Sequence, residues 1–426
     1  MAGAPHIQKE NVVKQTNTII IGAGQAGLAL SRCLFDQQID HVIFERGRIA
    51  QRWTERWDSL RLLTPNWMTR LPGWRYTGDR PDGFMTRDEM NQFLTGYARS
   101  FDAPVEESTT VRRVSPAPEG WRVETNREVW FAQSVVIATG HAQKTRIPAL
   151  ATALSRHIVQ MPVSDYRNPA QLPEGGVLVV GASASGVQLA DELRSAGHDV
   201  TLATGRHNRL PRRYRGRDIM YWLNRVGSLR RQLSEMKNPA EATCEPSLQL
   251  IGNESGKTVD LNALLARGVR VTGRLFGAEG GRVRFSDDLA QHAAAADYRL
   301  GRLLLRIDQY VETHAADCNA TPADPWALTR RVDAPGILDL DREGIRSVVW
   351  ATGFRRDYEW LDANVINAVG DVQNHRGRTP APGLFVIGMQ FMIRRNSSFI
   401  DGAGRDASEI ASEIARRAAT RGRKAA

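Results

Sequence analysis

Short apolar runs, each followed by a small-residue turn and a helical pattern, punctuate the chain twice. Residues 18–21 are β-branched and apolar, 22–27 are glycine-rich, 26 to about 35 carry helical periodicity, and 41–44 form a second apolar run closed by Glu45. The order recurs with an apolar run at 177–180, a turn at 181–186, a helix from 187 to about 196 and a strand at 199–203. Continuous apolar runs of this length read as strands buried on both faces of a parallel sheet. Between the two units, residues 121–140 predict a hairpin leading into a strand at 135–138. Later residues predict short strands within 267–284, a helix over 289–311, returning strands at 337–340 and 347–351, and a last strand at 383–388. An amphipathic helix over 406–418, with Ala407, Ile410, Ala411, Ile414 and Ala415 on one face, closes the fold before a basic tail at 416–426, expected to be a solvated end. Residues 1–14 are polar, without the apolar core of a signal peptide, and are expected to form a short disordered lead.

The turns carry the chemistry. Gly22-Ala23-Gly24-Gln25-Ala26-Gly27 matches G-x-G-x-x-G between a strand and a helix. The first glycine makes the tight turn, the second admits a pyrophosphate against the backbone, and the third lets helix and strand pack closely. Phosphate then rests on the helix N-terminus, where free N–H groups and the dipole attract anions. Glu45 ends the second strand, where a carboxylate takes ribose hydroxyls. The second turn, Gly181-Ala182-Ser183-Ala184-Ser185-Gly186, has serine in place of the middle glycine. A G-x-S-x-G nucleophile elbow fails here, because position 185 is serine. Thr204 and Arg206 follow the second unit's second strand, where the first unit has Glu45. An arginine there pairs with a 2′-phosphate that a carboxylate would repel; a solvent-exposed surface arginine is the alternative. The acidic first site and basic second site predict FAD in the first and NADP(H) in the second. The expected fold is therefore α/β, two nested Rossmann-like dinucleotide-binding domains: residues 1–170 with 331–426 for FAD, and 171–330 for NADPH.

Composition narrows the classes. Hydrophobic content of 42% and charged content of 24% are ordinary for a globular chain, and no apolar run is long enough to span a bilayer. The net charge of +10 raises nucleic acid as a partner, with a dense basic stretch over 206–231 that includes Tyr214, Tyr221 and Trp222. There Ile219, Trp222, Leu223 and Val226 recur at helical spacing, so a core-facing helix accounts for the same residues and nucleic acid is not expected. Cys33, Cys244 and Cys318 include no C-x-x-C pair, so no redox dithiol and no metal site is expected, and a reduced cytoplasmic setting fits. The stretch 206–260 is assigned by elimination to the NADPH or substrate entrance.

Together the motifs resemble the flavin-containing monooxygenase-like family, the group B flavoprotein monooxygenases. The resemblance rests on residues 19–27, Glu45-Arg46 followed by Trp53, Trp57-Asp58-Ser59-Leu60, Val135-Val136-Ile137-Ala138-Thr139-Gly140, the second turn, Val349-Trp350-Ala351-Thr352-Gly353-Phe354, and Gly404-Arg405-Asp406-Ala407. It implies that Arg46 and Trp53 border the flavin nucleotide. Thr139-Gly140 and Ala351-Thr352-Gly353 would line the cofactors at the crossings between domains. It also implies an activity: NADPH reduces FAD, O2 adds to give a C4a-hydroperoxide, and one oxygen passes to a small organic substrate. Two departures stand out. Pro162 occupies the place of the family's histidine, with His157 nearby but out of register and read as a surface or loop residue. Leu63-Thr64 stand where many members place an asparagine near the flavin; Thr64 is the candidate catalytic hydrogen-bonder, or a structural threonine before Pro65. The alternative activity is an NAD(P)H-dependent flavin reductase or dehydrogenase without productive oxygenation. A homodimer is left open.

Overall fold

Strand β1 (Lys14–Ile21) turns into helix α1 (Gln25–Asp36) and returns as β2 (His41–Phe44). A computed structural model describes residues 13–243, 245–246 and 248–425, without the side chains of Ala316 and residues 421–425. The expected lead up to residue 12, Cys244 and Ala426 lie outside the described residues. Lys14, expected in that lead, already belongs to β1 and pairs with Trp130.

The elements that bear on the site continue with α2 (Gln51–Thr54), α3 (Arg87–Arg99), β3 (Val105–Glu106), the hairpin β4 (Val111–Ala117) and β5 (Gly120–Thr125), and the long β6 (Val129–Ile137). β7 (Lys144–Thr145) and β8 (Val159–Pro162) lead into β9 (Gly176–Val180), α4 (Ala184–Ser195) and β10 (Val200–Ala203). Then come β11 (Asn208–Arg209), α5 (Ile219–Arg225), β12 (Leu248–Gln249), α6 (Leu261–Ala266), β13 (Arg270–Thr272), β14 (Leu275–Glu279), β15 (Arg282–Phe285) and α7 (Leu289–Thr313). The chain ends with β16 (Ile337–Asp339), β17 (Ile345–Trp350), β18 (Phe354–Arg355), β19 (Leu384–Val386) and α8 (Ile400–Ala425).

Two sheets organise these elements. The first runs β3-β2-β1-β6-β5-β4, and β19 also pairs with β6. The second runs β8-β17-β9-β10-β13 and is parallel throughout. The orders β3-β2-β1-β6 and β13-β10-β9-β17 correspond strand for strand, so the chain has built one parallel nucleotide-binding plan twice. In the second sheet Val177 and Val179 face a core shared with α4, while Leu178 and Val180 face a core shared with β14, β15 and β16. Apolar cover on both faces explains the uninterrupted apolar run.

Chain exchange between the sheets differs from the expected division at 170/171 and 330/331. β8 (159–162) and β17 (345–350) both lie in the second sheet, and the chain returns to the first at Leu361, which bridges Val114, and then at β19. The closing helix also starts six residues before the expected 406. Gly402 and Gly404 weaken the local helical signal. Their missing side chains instead allow close packing: a Cβ on Gly402 would lie 1.9 Å from the Asn396 carbonyl oxygen, and one on Gly404 would lie 3.0 Å from Pro72. Ile400, Ala403, Ala407, Ile410, Ala411 and Ile414 bury that helix on the first core. The stretch expected as a solvated tail is helical as far as Ala425.

Candidate cofactor-binding site

The two glycine turns have nearly the same backbone. Gly22 sits at φ +111° and Gly181 at φ +107°, a region that favours glycine. Gly24 caps α1 at φ −83°, ψ −175°, and Ser183 caps α4 at φ −82°, ψ −172°. Glycine is demanded by the protein itself at the ends of each motif. A Cβ on Gly27 would fall 2.0 Å from the Gly22 carbonyl oxygen, and one on Gly186 would fall 1.7 Å from that of Gly181. At Gly24 the same test meets nothing within 4 Å. That space lies at the mouth of a helix whose cap makes no side-chain hydrogen bond, so the first-turn N–H groups have no side-chain acceptor from the cap. The open space beside unclaimed donors fits a dinucleotide pyrophosphate.

What braces each turn differs. In the first, Glu45 accepts from the Ala23 N–H at 2.9 Å and the Gly47 N–H at 3.0 Å. In the second, Gln249 on β12 donates from Nε2 to the Ala182 carbonyl at 2.7 Å and is fully buried. Both anchors grip the second residue of the motif, one through its N–H and the other through its carbonyl. Gln249 carries no signal in the local sequence, because it comes from a segment 67 residues away.

Beyond β10, Thr204 is fully buried: its N–H bonds the Thr272 carbonyl at 3.0 Å, and its hydroxyl has no partner among the described residues. Arg206 is exposed at the tip of the strand. Arg299 shares its field: burial holds Arg299 below its ordinary pKa, and Arg206 pushes the same way against Glu245. Arg299 itself is held by Asn208 at 2.6 Å and the His207 carbonyl at 2.7 Å. Arg212, in the same basic stretch, does not add to this field. It is buried, bonds the Leu63 carbonyl at 2.8 Å and Asp218 at 2.5 Å, and stacks on Phe84.

The remaining expected residues divide by exposure. Gln25 and Ser185 are half-buried on the first turns of their helices, with Ala26 buried beside Gln25. Arg46 is exposed, whereas Trp53 packs against both the first and second cores. Thr139 accepts from the Gln143 side-chain amide, and Thr352 donates to the Arg146 carbonyl. Gly140 and Gly353 face open space, and Ala351 places its Cβ 3.6 Å from the position a Gly186 Cβ would take. Thr64 is 9% exposed and follows Leu63, whose carbonyl Arg212 holds. Pro162 ends β8 in register with Trp350, and its carbonyl starts the turn at Asp165. His157 lies at the surface, 2.8 Å from Asp341.

The structure adds a cluster that sequence reasoning missed. His141 directly follows Gly140, reachable by solvent yet crowded by protein; burial first, then Arg356 and Arg56, push its pKa down to about 4. Cys33 and Cys318 are buried free thiols, and burial pushes Cys33 up to about 12, far from a reactive thiolate. A cleft of about 690 Å³ between α7 and residues 326–332 touches neither glycine turn. Among the described residues no group of His, Cys, Asp and Glu is placed to hold a metal ion, and no helix is long and apolar enough to cross a membrane.

The sequence profile of the pyridine nucleotide-disulphide oxidoreductases matches residues 19–281, from β1 to just past β14. The chain belongs to that family. An uncharacterized CzcO-like oxidoreductase of Geobacillus kaustophilus is 31% identical over 402 residues, covering 93% of this chain and 98% of the relative. The indole-3-pyruvate monooxygenase YUCCA1 of rice, Oryza sativa, is 31% identical over 183 residues, which is 41% of this chain and 44% of the plant protein. The solved flavin-containing monooxygenase of Stenotrophomonas maltophilia superposes with a TM-score of 0.67 at 19% identity, over 95% of this chain and 100% of its own. The protein is thus a flavin-containing monooxygenase-like flavoprotein and an oxidoreductase enzyme. The family's disulphide chemistry lacks its dithiol here, since no C-x-x-C occurs in the sequence.

Proposed function

We propose that the chain is an NADPH- and O2-dependent FAD monooxygenase acting on a small organic substrate. The observation that carries this reading is the pair of matching turns with opposite charge beyond them, Glu45 after the first and Arg206 with Arg299 after the second. The Gly24–Gly27 turn and Glu45 would hold FAD, and the Ser183–Gly186 turn with Arg206 would hold NADPH. Flavin, when bound, would supply the redox chemistry: two electrons from NADPH and the cleavage of O2, one oxygen atom going to the substrate and the other to water. The protein's share is orientation and exclusion of water, so no acid–base triad is required. Thr64, a buried residue, is the candidate hydrogen-bonder to the reacting cofactors. A cytoplasmic setting accords with the buried, unpaired Cys33 and Cys318; no nucleic-acid partner is proposed.

Pro162 favours a second reading, a flavin reductase without productive oxygenation, because the family's histidine is missing and His157 is engaged with Asp341. One experiment separates them. The purified protein is reduced anaerobically with NADPH, mixed with O2, and assayed for oxygenated product against NADPH consumed, with indole-3-pyruvate among the trial substrates. Flavin bleaching followed by product supports the monooxygenase. Bleaching with hydrogen peroxide as the sole product of O2 across the substrate panel moves the assignment to the reductase, and no bleaching removes both.

A further inference from the structure

The crossings that end β6 and β17 are tied to each other by the two-stranded ribbon β7–β18. Thr145 pairs with Phe354 and Lys144 with Arg355, and the Arg146 N–H bonds the Gly353 carbonyl at 2.9 Å. The ribbon sets residues 141–143 beside 356–357, where the Gln143 side chain accepts from the Asp357 N–H. The segment around α2 closes the third side. Arg52 bonds the Ala142 and Gln143 carbonyls, and the Arg56 guanidinium lies 5.2 Å over the Phe354 ring.

Most cations here already have partners. Arg52 pairs with Glu55 at 2.8 Å, Lys144 with Asp357 at 2.5 Å, and Arg356 with Asp371. Arg56 differs. Glu55, the acid whose field it feels, is taken by Arg52, and no carboxylate among the described residues is paired with Arg56. The ring of His141 likewise makes no hydrogen bond to a described residue, and buried Nε of Arg356 is without a partner there. The half-buried Arg56 guanidinium lies within the electrostatic reach of His141, which follows the open Gly140 turn, and the buried Arg356 Nε is a donor without a protein acceptor. Leaving such donors unpaired is costly, and a planar guanidinium suits a bidentate oxyanion.

We infer that Arg56, His141 and Arg356 form an oxyanion-binding subsite at the meeting of the two crossings, a deepening of the two-cofactor reading on which it rests. Its ligand is either the carboxylate of an acidic organic substrate or a phosphate of the nicotinamide dinucleotide. Protonation supports the geometry. Burial and then Arg52 lower Arg56 to about 10, so it stays charged near neutrality, while His141 at about 4 is neutral and able to donate one N–H. The sequence signal was slight, since Arg56 and His141 flank recognised motifs but lie 85 positions apart.

The test uses FAD-loaded protein with benzoate and inorganic pyrophosphate as probes, in the wild type, Arg56→Gln and Arg56→Lys. Binding is read by calorimetry and by the His141 imidazole titration in NMR. A bound anion is expected to raise the His141 pKa by about one unit or more. Arg56→Gln is expected to weaken binding roughly ten- to a hundredfold, with Arg56→Lys between it and wild type, at unchanged FAD content. If benzoate is the affected probe and the Kd for NADPH is unchanged, the source is a substrate carboxylate. If pyrophosphate and NADPH weaken together, the source is the dinucleotide. Failure of wild type to bind either probe, or equal binding by Arg56→Gln, overturns the subsite. None of these readouts needs turnover, so a protein that NADPH does not reduce would lose the proposed function while the subsite could still stand or fall on its own.

Discussion

Gly24 and Ser183 stand at the same place in two turns whose backbones agree within a few degrees, yet their surroundings are not interchangeable. The first turn is braced from its own unit by Glu45, two strand-ends away in a local βαβ arrangement. The second is braced by Gln249, delivered by a segment that leaves β10 and comes back through β12 to reach the Ala182 carbonyl. The shared part, glycine where helix meets strand, follows from backbone sterics. The differing part sets charge: a carboxylate beside the first turn and two arginines beyond the second. On the proposed function, one fold plan would distinguish two dinucleotides by what is attached to it, not by the turn.

Substitutions can break this comparison at several levels. The largest effect is expected where the two turns are alike. Gly27→Ala and Gly186→Ala each drive a Cβ into a carbonyl oxygen, and each is expected to cost about 3 kcal/mol or more. Soluble yield and the unfolding midpoint measure this; tolerance of either change would mean the helix can draw back and the turns are not the rigid element assumed.

Gly24→Val comes next, because its side chain enters open space and leaves the fold alone. Flavin content per mole should fall by an order of magnitude or more at unchanged circular dichroism, since the pyrophosphate loses its place. Normal flavin retention would detach the first turn from the cofactor. Ser183→Gly, its counterpart, should leave NADPH binding close to wild type.

Charge at the second unit sharpens the contrast. Arg206→Ala should raise the KM for NADPH roughly ten- to a hundredfold and leave kcat and NADH kinetics near their original values, because a charge-assisted bond to a remote phosphate is equal before and during hydride transfer. Equal use of NADH by wild type would return Arg206 to the status of a surface residue. Gln249→Leu is milder. Loss of one neutral hydrogen bond is worth about 1 kcal/mol, roughly fivefold in NADPH affinity, with no change in flavin content. An equal loss of both cofactors would indicate general damage rather than a brace for one turn.

The smallest expected effect is on stability against pH. His141 titrates near 4 in the folded protein and near its ordinary value of about 6.5 when unfolded. Between those values the unfolded chain binds the extra proton, so stability falls as pH drops through that window and is unaffected above it. His141→Gln should flatten this part of the stability curve; an unchanged slope would place the titration elsewhere.

Legibility followed sequence distance. Strands β1, β2 and β9, both glycine turns and Glu45 stand in local patterns, where adjacent residues state their own geometry. Thr204 and Arg206 were paired by position alone with the residue after β2; only the structure separates them, burying Thr204 beside Thr272 and leaving Arg206 exposed. The start of α8 was hidden by Gly402 and Gly404, which weaken a helix in isolation but admit Asn396 and Pro72 in the folded chain. The exchange of strands between sheets was hidden too, since β8 is a short mixed segment, Val159–Pro162, without a strand pattern of its own, and β17 is an apolar run that either sheet would accept.

Sequence alone determined the repeated strand–turn–helix plan, because steric limits at Gly22, Gly27, Gly181 and Gly186 act over a few residues and leave little choice of conformation. It also placed opposite charges after the two turns. Tertiary structure decided which sheet received β8 and β17, that Gln249 braces the second turn, and that Arg56 comes within the electrostatic reach of His141. Those outcomes depend on packing and desolvation between segments far apart in the chain, and side chains acquire such environments only once the sheets have closed.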